Sequence, residues 1–379
     1  MGSSLQACRV QGAFYIANSA TWIESKAIEQ LEITSKLPHM LKAVGMPDLH
    51  PGRGYPIGAA FFSVNHFYPA LIGNDIGCGM RFYQTDLKLS KYSLDKLVQK
   101  VGNIDRPLLA QDIAQNFPEL PALADGTWAD GTIGGGNHFA ELQKLDKVYH
   151  PTIAQALGLS SKCYQLLVHS GSRGIGQHIL QEHVLRFSHA GLAANSAPAL
   201  AYLAQHDFAL QYAQQNRELI ALRLLTNLRT QARCLLDVTH NFVEHCEIDA
   251  VQGWLHRKGA APSTSGLVMI PGSRGDYSYL VKPTSNTAGL LSLAHGAGRK
   301  WMRKDCKERL KDRFRLQDLQ RTSLGGRVVC QDRELMYEEA PQAYKSIETV
   351  IESLLEAGLI ELVARFVPVL SYKKQGDCC

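Results

Sequence analysis

The 379-residue sequence has no apolar run approaching the length of a membrane span, and its start lacks a charged-then-apolar signal segment. Both absences point to the cytoplasm. Met1-Gly2 with Gln6 misses the myristoylation pattern, and Cys378-Cys379 lacks the four-residue prenylation layout. Cysteine occurs nine times, an odd number without short regular spacing, which argues against a disulfide framework and leaves reduced thiols for other chemistry. Excess charge is scarce as well: 40 Lys and Arg against 35 Asp and Glu give a net +5, too little to announce nucleic acid by itself. No Pro/Ser-rich linker and no internal repeat divides the chain, so residues 1–379 read as a single domain long enough for a sizeable core.

What is present is a mixture of strand and helix signals. A helix is expected from Ser25 to Leu37, and Gly-rich strand-and-turn sequence of a mixed sheet continues through Leu87. Tyr68 to Ile72 reads as a short buried strand, Ser93 to Val101 as an amphipathic helix, and Leu109 to Asp130 as helical patterning broken by prolines. A strand follows near Gln165 to Val168, long helices over Ala190 to Leu235, strands at Gly266 to Ile270 and Tyr277 to Val281, and a helix over Ala343 to Phe366. The fold class is therefore expected to be α+β.

Chemistry-bearing residues stand in glycine-punctuated strings. Gly73-Asn74-Asp75-Ile76-Gly77-Cys78-Gly79-Met80 places a carboxylate and a thiol three residues apart where the backbone can turn tightly. Such a pair suits a divalent ion of intermediate softness, and a thiolate can bridge two ions. Alone, the string is more often an ordinary turn with a buried free cysteine. Histidine then recurs in Gly131-Thr132-Ile133-Gly134-Gly135-Gly136-Asn137-His138-Phe139-Ala140-Glu141, in Leu166-Leu167-Val168-His169-Ser170-Gly171-Ser172-Arg173-Gly174, and in Leu235-Leu236-Asp237-Val238-Thr239-His240-Asn241. His295 stands among small residues in Ala294-His295-Gly296-Ala297-Gly298, and a neutral imidazole can attack phosphorus. Immediately after it, nine Lys and Arg between Arg299 and Arg315 are opposed only by Asp305, Glu308 and Asp312. That stretch is either a solvated helix face or a phosphate-binding surface beside the chemistry.

In these strings, and in Met46-Pro47-Asp48-Leu49-His50-Pro51-Gly52-Arg53-Gly54, His256-Arg257-Lys258-Gly259-Ala260, Ile270-Pro271-Gly272-Ser273 and Glu338-Glu339-Ala340-Pro341-Gln342-Ala343-Tyr344-Lys345, the sequence resembles the RtcB-type RNA-splicing ligases over nearly its whole length. The resemblance implies an RtcB-like α+β domain with a central metal cleft. It also implies an enzyme that joins RNA 3′-phosphate or 2′,3′-cyclic phosphate ends to 5′-hydroxyl ends, using GTP and two manganese ions, in RNA repair or tRNA splicing. By that resemblance Asp75, Cys78, His138, His169 and His240 are manganese ligands, with Cys78 bridging, and His295 takes GMP from GTP. Asn137, Glu141, Ser273, Ser278, Ala297, Gly298, Tyr344 and Lys373 would contact the guanine nucleotide. The implied partners are RNA ends and GTP, with no membrane, and the chain is expected to be a monomer.

Two departures mark a divergent RNA-repair branch. Where the family carries Met, Gly and then Thr or Ala after Pro-Gly-Ser, this chain has Arg274-Gly275-Asp276, and Lys373 is followed by Lys374-Gln375-Gly376-Asp377 and two cysteines instead of a terminal glycine. Two other readings are a two-metal RNA phosphodiesterase, which would leave His295 idle, and a non-catalytic RNA-binding protein, which would be expected to have lost a ligand. All five proposed ligands are present.

Overall fold

The computed structural model describes residues 7–10 and 12–376, the side chains from residue 12 onward. The N-terminal lipidation positions, the Cys8 side chain and Cys378-Cys379 lie outside the described residues. Two large sheets dominate. The first runs, in spatial order, Ala7–Val10, Ala13–Ile16, Met40–His50, Ile57–Ser63, Val251–Lys258 and Asn241–Ile248. Ala13–Ile16 pairs in parallel with Met40–His50 while the other pairings are antiparallel, so the sheet is mixed, as the N-terminal sequence suggests.

The second sheet runs Ala232–Thr239, Gly79–Lys88, Cys163–Ser170, Phe139–Val148, Ile360–Lys374, Ser278–Pro283 and Val268–Pro271, with Arg327–Cys330 pairing in parallel beside Ile360–Lys374. Its first four strands are antiparallel neighbours. The C-terminal end of one therefore lies beside the N-terminal start of the next, which brings residues distant in sequence to one sheet edge. The 32-residue helix Ala197–Leu228 packs on this sheet with Ala213, Leu219, Ile220, Ala221 and Leu224 buried. A small apolar cluster of Leu310, Leu319, Val328, Leu335 and Met336 holds the helical segment after His295 together.

Several expected elements differ. Tyr68 to Ile72 is not a strand, because Pro69 has no N–H for a ladder and its fixed φ starts a helical turn, Pro69–Ile72, buried throughout. The long helix begins at Ala197 and ends at Leu228, so residues from Ala232 onward belong to an edge strand. Only Ile347–Glu356 of the expected C-terminal helix is helical; Ile360–Lys374 is a strand. The expected helices at Ser25 and Ser93 form as Ser25–Ser35 and Leu94–Val101, the latter with the Ser93 side chain accepting from the backbone of Lys96.

Candidate metal centre and adjoining cleft

Four strand ends supply the cluster. Cys78 precedes Gly79–Lys88, His138 precedes Phe139–Val148, His169 is the next-to-last residue of Cys163–Ser170, and His240 follows Ala232–Thr239. Their registers meet at the same edge, with Met80 opposite His169, Phe139 opposite His169, and Thr239 opposite Gly79. Asp75 comes from the turn before Cys78, where the Asn241 side chain donates to the Asp75 carbonyl at 3.0 Å. Gly77 adopts φ 80°, and a Cβ there would stand 2.6 Å from the Ala213 Cβ. Buried Arg217, from the long helix, donates to the carbonyls of Gly77 at 2.7 Å and Ser170 at 3.0 Å and pairs with Asp237 at 2.7 Å. One guanidinium thus ties the turn that leads into Cys78 to the strand end that carries His169.

Two ligand sets share one atom. Cys78, His169 and His240 form one, Asp75, Cys78 and His138 the other, and in each set the ligand atoms lie within 4.8 Å of one another. The Cys78 sulfur is 3.1 Å from His169 Nε2 and 3.3 Å from His138 Nε2; His169 Nε2 is 3.3 Å from His240 Nε2, and His138 Nε2 is 2.7 Å from the Asp75 carboxylate. Electron-rich atoms this close need cations between them, either protons or metal ions. His169 Nδ1 lies 3.3 Å from the Asn137 carbonyl, so this ring can donate its Nδ1–H and turn an Nε2 lone pair to the sulfur; His138 Nδ1 lies 3.1 Å from the Ile133 carbonyl, and its Nε2 stands between the sulfur and the Asp75 carboxylate.

Burial sets the protonation states. It pushes His169 and His240 well below the ordinary histidine range, aided by neighbouring histidines, which keeps both neutral and able to ligate. Burial, then the Asp75 charge, pushes the Cys78 thiol well up, so a cation must displace its proton. For Asp75, burial acts upward but the charge and hydrogen bond of His138 outweigh it and hold the carboxyl below its usual value. Space is reserved too, since a Cβ on Gly171 would stand 2.1 Å from an Asp75 carboxylate oxygen. Thiolate, carboxylate and neutral imidazoles with Cys78 held in common fit a pair of divalent cations.

His295 is adjacent, its ring centroid 4.8 Å from that of His240. Its Nδ1 lies 2.7 Å from the carboxylate of Asp48, a residue with no exposed surface. That contact assigns the proton to Nδ1 and leaves the lone pair on Nε2. The segment around Asp48 is pinned in turn: Lys345 Nζ donates to the Pro47 carbonyl at 3.0 Å and the Leu49 carbonyl at 2.7 Å, and a Cβ on Gly298 would stand 2.2 Å from the Asp48 carbonyl oxygen.

Both features open into one cleft of about 1220 Å³. Asn137, Glu141, Ser273, Ala297, Gly298, Tyr344 and Lys373 also line it. Ser278 does not; it is buried behind the wall and accepts from Gln143 at 2.9 Å, while Gln143 also donates to Glu141 at 2.8 Å. Ser371 donates to the second Glu141 oxygen. Burial raises the Glu141 carboxyl to about 7, against the pull of Gln143, Ser371 and Lys373. Glu339 sits at the centre of a second network with Arg299 at 3.0 Å, Lys373 at 3.3 Å, Arg303 at 3.8 Å and the Tyr344 hydroxyl as donor. Burial alone would raise Glu339, but Lys373, Arg299 and Arg303 hold it down at about 2.

A family model described as tRNA-splicing ligase RtcB matches residues 30–107 and 114–374. The chain is 55% identical over 365 residues to the RNA-splicing ligase RtcB2 of Escherichia coli, covering 96% of each chain. The chain belongs to the RtcB family. More distant members include the RNA-splicing ligase RtcB of Mycobacterium bovis, 29% identical with 90% of this chain and 99% of the relative covered. Another is the tRNA-splicing ligase RtcB of Archaeoglobus fulgidus, 28% identical with 95% and 94% covered.

Within this RtcB chain, sequence reasoning assigned no role to Asp48, Arg217 or Glu339. Asp48 stands in the Met46-Pro47-Asp48 string, and an acid following the apolar run Ala43 to Pro47 is the signal that could have found it. The basic stretch is also not one uniform face. Only Arg303–Leu310 is helical there, Arg299 turns inward to Glu339, Lys307 pairs with Glu334, and Lys311 pairs with Glu308 at 2.6 Å. Lys300, Arg303 and Lys304 remain on the cleft lining.

Proposed function

We propose that this member of a family of RNA-splicing ligases joins RNA 3′-phosphate, or 2′,3′-cyclic phosphate, ends to 5′-hydroxyl ends with GTP, as a cytoplasmic monomer acting in RNA repair or tRNA splicing. The observation that carries this reading is the His295–Asp48 pair beside a shared-thiolate ligand cluster. His295 Nε2 attacks the α-phosphorus of GTP; a phosphorus–nitrogen bond forms and pyrophosphate leaves. Asp48 keeps the proton on Nδ1 and offsets the positive charge that develops on the ring. An oxygen of the RNA 3′-phosphate, exposed by hydrolysis where the end is cyclic, then attacks the same phosphorus and releases His295. Finally the 5′-hydroxyl oxygen attacks the RNA phosphorus, the phosphodiester forms, and GMP leaves.

Asp75, Cys78, His138, His169 and His240 would hold two manganese ions, which supply positive charge against the crowded phosphate oxygens. Glu141 can accept from the guanine edge, Tyr344 offers a ring for stacking, and Asn137, Ser273, Ala297, Gly298 and Lys373 line the space a nucleotide would fill, with Ser278 steadying Glu141 through Gln143. The test is to incubate the protein with manganese, GTP and two RNA strands carrying a 3′-phosphate and a 5′-hydroxyl. Sealing that needs both GTP and manganese is the expected outcome. RNA cleavage without sealing would support a phosphodiesterase, and neither reaction a binding protein.

A further inference from the structure

We infer that Arg274 is a positioning residue for the nucleotide-facing wall of the cleft, an inference that rests on the ligase reading. Arg274 is 6% exposed and lies in the turn between Val268–Pro271 and Ser278–Pro283, next to Ser273. Its Nη2 donates to the carbonyl of Met336 at 2.9 Å and to that of Leu319 at 3.4 Å. Met336 belongs to helix Arg333–Glu338, whose C-cap is Glu339, and Leu319 ends helix Leu316–Leu319. Carbonyls in the last turn of a helix lack intrahelical donors, so a guanidinium is a suitable partner. Two weaker ties flank it: Ser323 Oγ donates to the Gly275 carbonyl at 3.2 Å, and the Ile347 N–H donates to Asp276 at 3.3 Å. The turn that carries Ser273 is thereby fixed to the segment that carries Arg299, Glu339 and Tyr344.

Fold stability does not explain an arginine at this position. No carboxylate pairs with Arg274 among the described residues: its nearby acid, Glu339, is engaged by Lys373, Arg299, Arg303 and Tyr344, and Arg274 Nε is buried without a partner. A guanidinium buried in this way is costly, and an apolar side chain of similar volume would hold the two parts together as well or better. What arginine adds is direction, because bonds from one planar group to two helix ends set the helix that leads into Glu339 against Ser273.

The test compares the wild-type chain with Arg274→Met and Arg274→Lys, full length and loaded with manganese, in transfer of label from α-labelled GTP to the protein. Arg274→Met is expected to melt at or above the wild-type temperature, keep its metal, and seal RNA already carrying a guanylylated 3′ end at the wild-type rate. Its KM for GTP should rise roughly tenfold with the rate at saturating GTP unchanged, and Arg274→Lys, which retains a donor, should recover part of that loss. An unchanged KM, or a fall in melting temperature together with both reactions, would overturn the inference. A wild-type chain that takes up no label would instead overturn the ligase reading, and this inference with it.

Discussion

Four of the five candidate metal ligands stand at or beside the ends of antiparallel neighbouring strands, with Asp75 in the adjoining turn, whereas the wall around Glu339 is assembled from a hairpin turn, the C-terminal strand and a helical segment joined by buried ion pairs. The first arrangement is fixed by backbone pairing, so ligand positions follow directly from register. The second depends on side chains such as Glu339, Lys373, Arg299 and Arg274, any of which can change without unravelling the sheet. Substitutions between relatives are expected to collect in the wall, to which the Arg274-Gly275-Asp276 turn is tied.

The sharpest way to break the contrast is at Cys78, which serves both ligand sets. Cys78→Ala should remove both ions and all detectable sealing, read by metal analysis and a ligation assay, while Cys234→Ala on the exposed edge strand leaves both intact. Next, Asp48→Asn should slow protein guanylylation by about a hundredfold or more without metal loss, since an amide can donate to the ring nitrogen and favour the wrong tautomer. Single-turnover labelling would measure it.

Within the wall, effects should be smaller and depend on pH. Glu141, raised to about 7 by burial, is protonated below that pH and cannot accept from guanine with both oxygens; above it the carboxylate is restored. GTP affinity should therefore rise by up to about tenfold per pH unit below 7 and level off above it. Glu141→Gln should bind weakly and lose that slope in a titration from pH 5.5 to 8.5. The smallest effect is expected at the cleft rim. Lys300→Ala with Lys304→Ala should weaken RNA binding and lower its salt slope by about 1 to 2, whereas Lys307→Ala and Lys311→Ala, whose charges are already paired with Glu334 and Glu308, should change the slope less.

The same contrast governs what the sequence makes legible. His138 and His169 sit in local strings where glycines adjoin a strand end, whereas the Leu235-Leu236-Asp237-Val238-Thr239-His240-Asn241 string has no glycine and the run before Asp75 is a helical turn, so the five residues become legible as one set only through the family resemblance. Asp48 escapes because its partner, His295, is 247 residues away. Ile360 to Phe366 reads as helix because the strand is flanked by neighbours on both sides in the sheet and mostly buried, which erases the alternation that marks a half-buried strand. Ser278 is drawn to the nucleotide by resemblance, yet it stands one hydrogen-bonded residue behind the cleft, a distinction set by tertiary packing alone.

The most direct test of the central claim is acid–alkali analysis of protein incubated with α-labelled GTP and manganese. The label should sit on the protein through a phosphorus–nitrogen bond, lost in acid and retained in alkali, and His295→Ala should abolish it while keeping its metal and still sealing RNA that already carries a guanylylated 3′-phosphate. Normal labelling of His295→Ala, or a label that survives acid, would contradict the account.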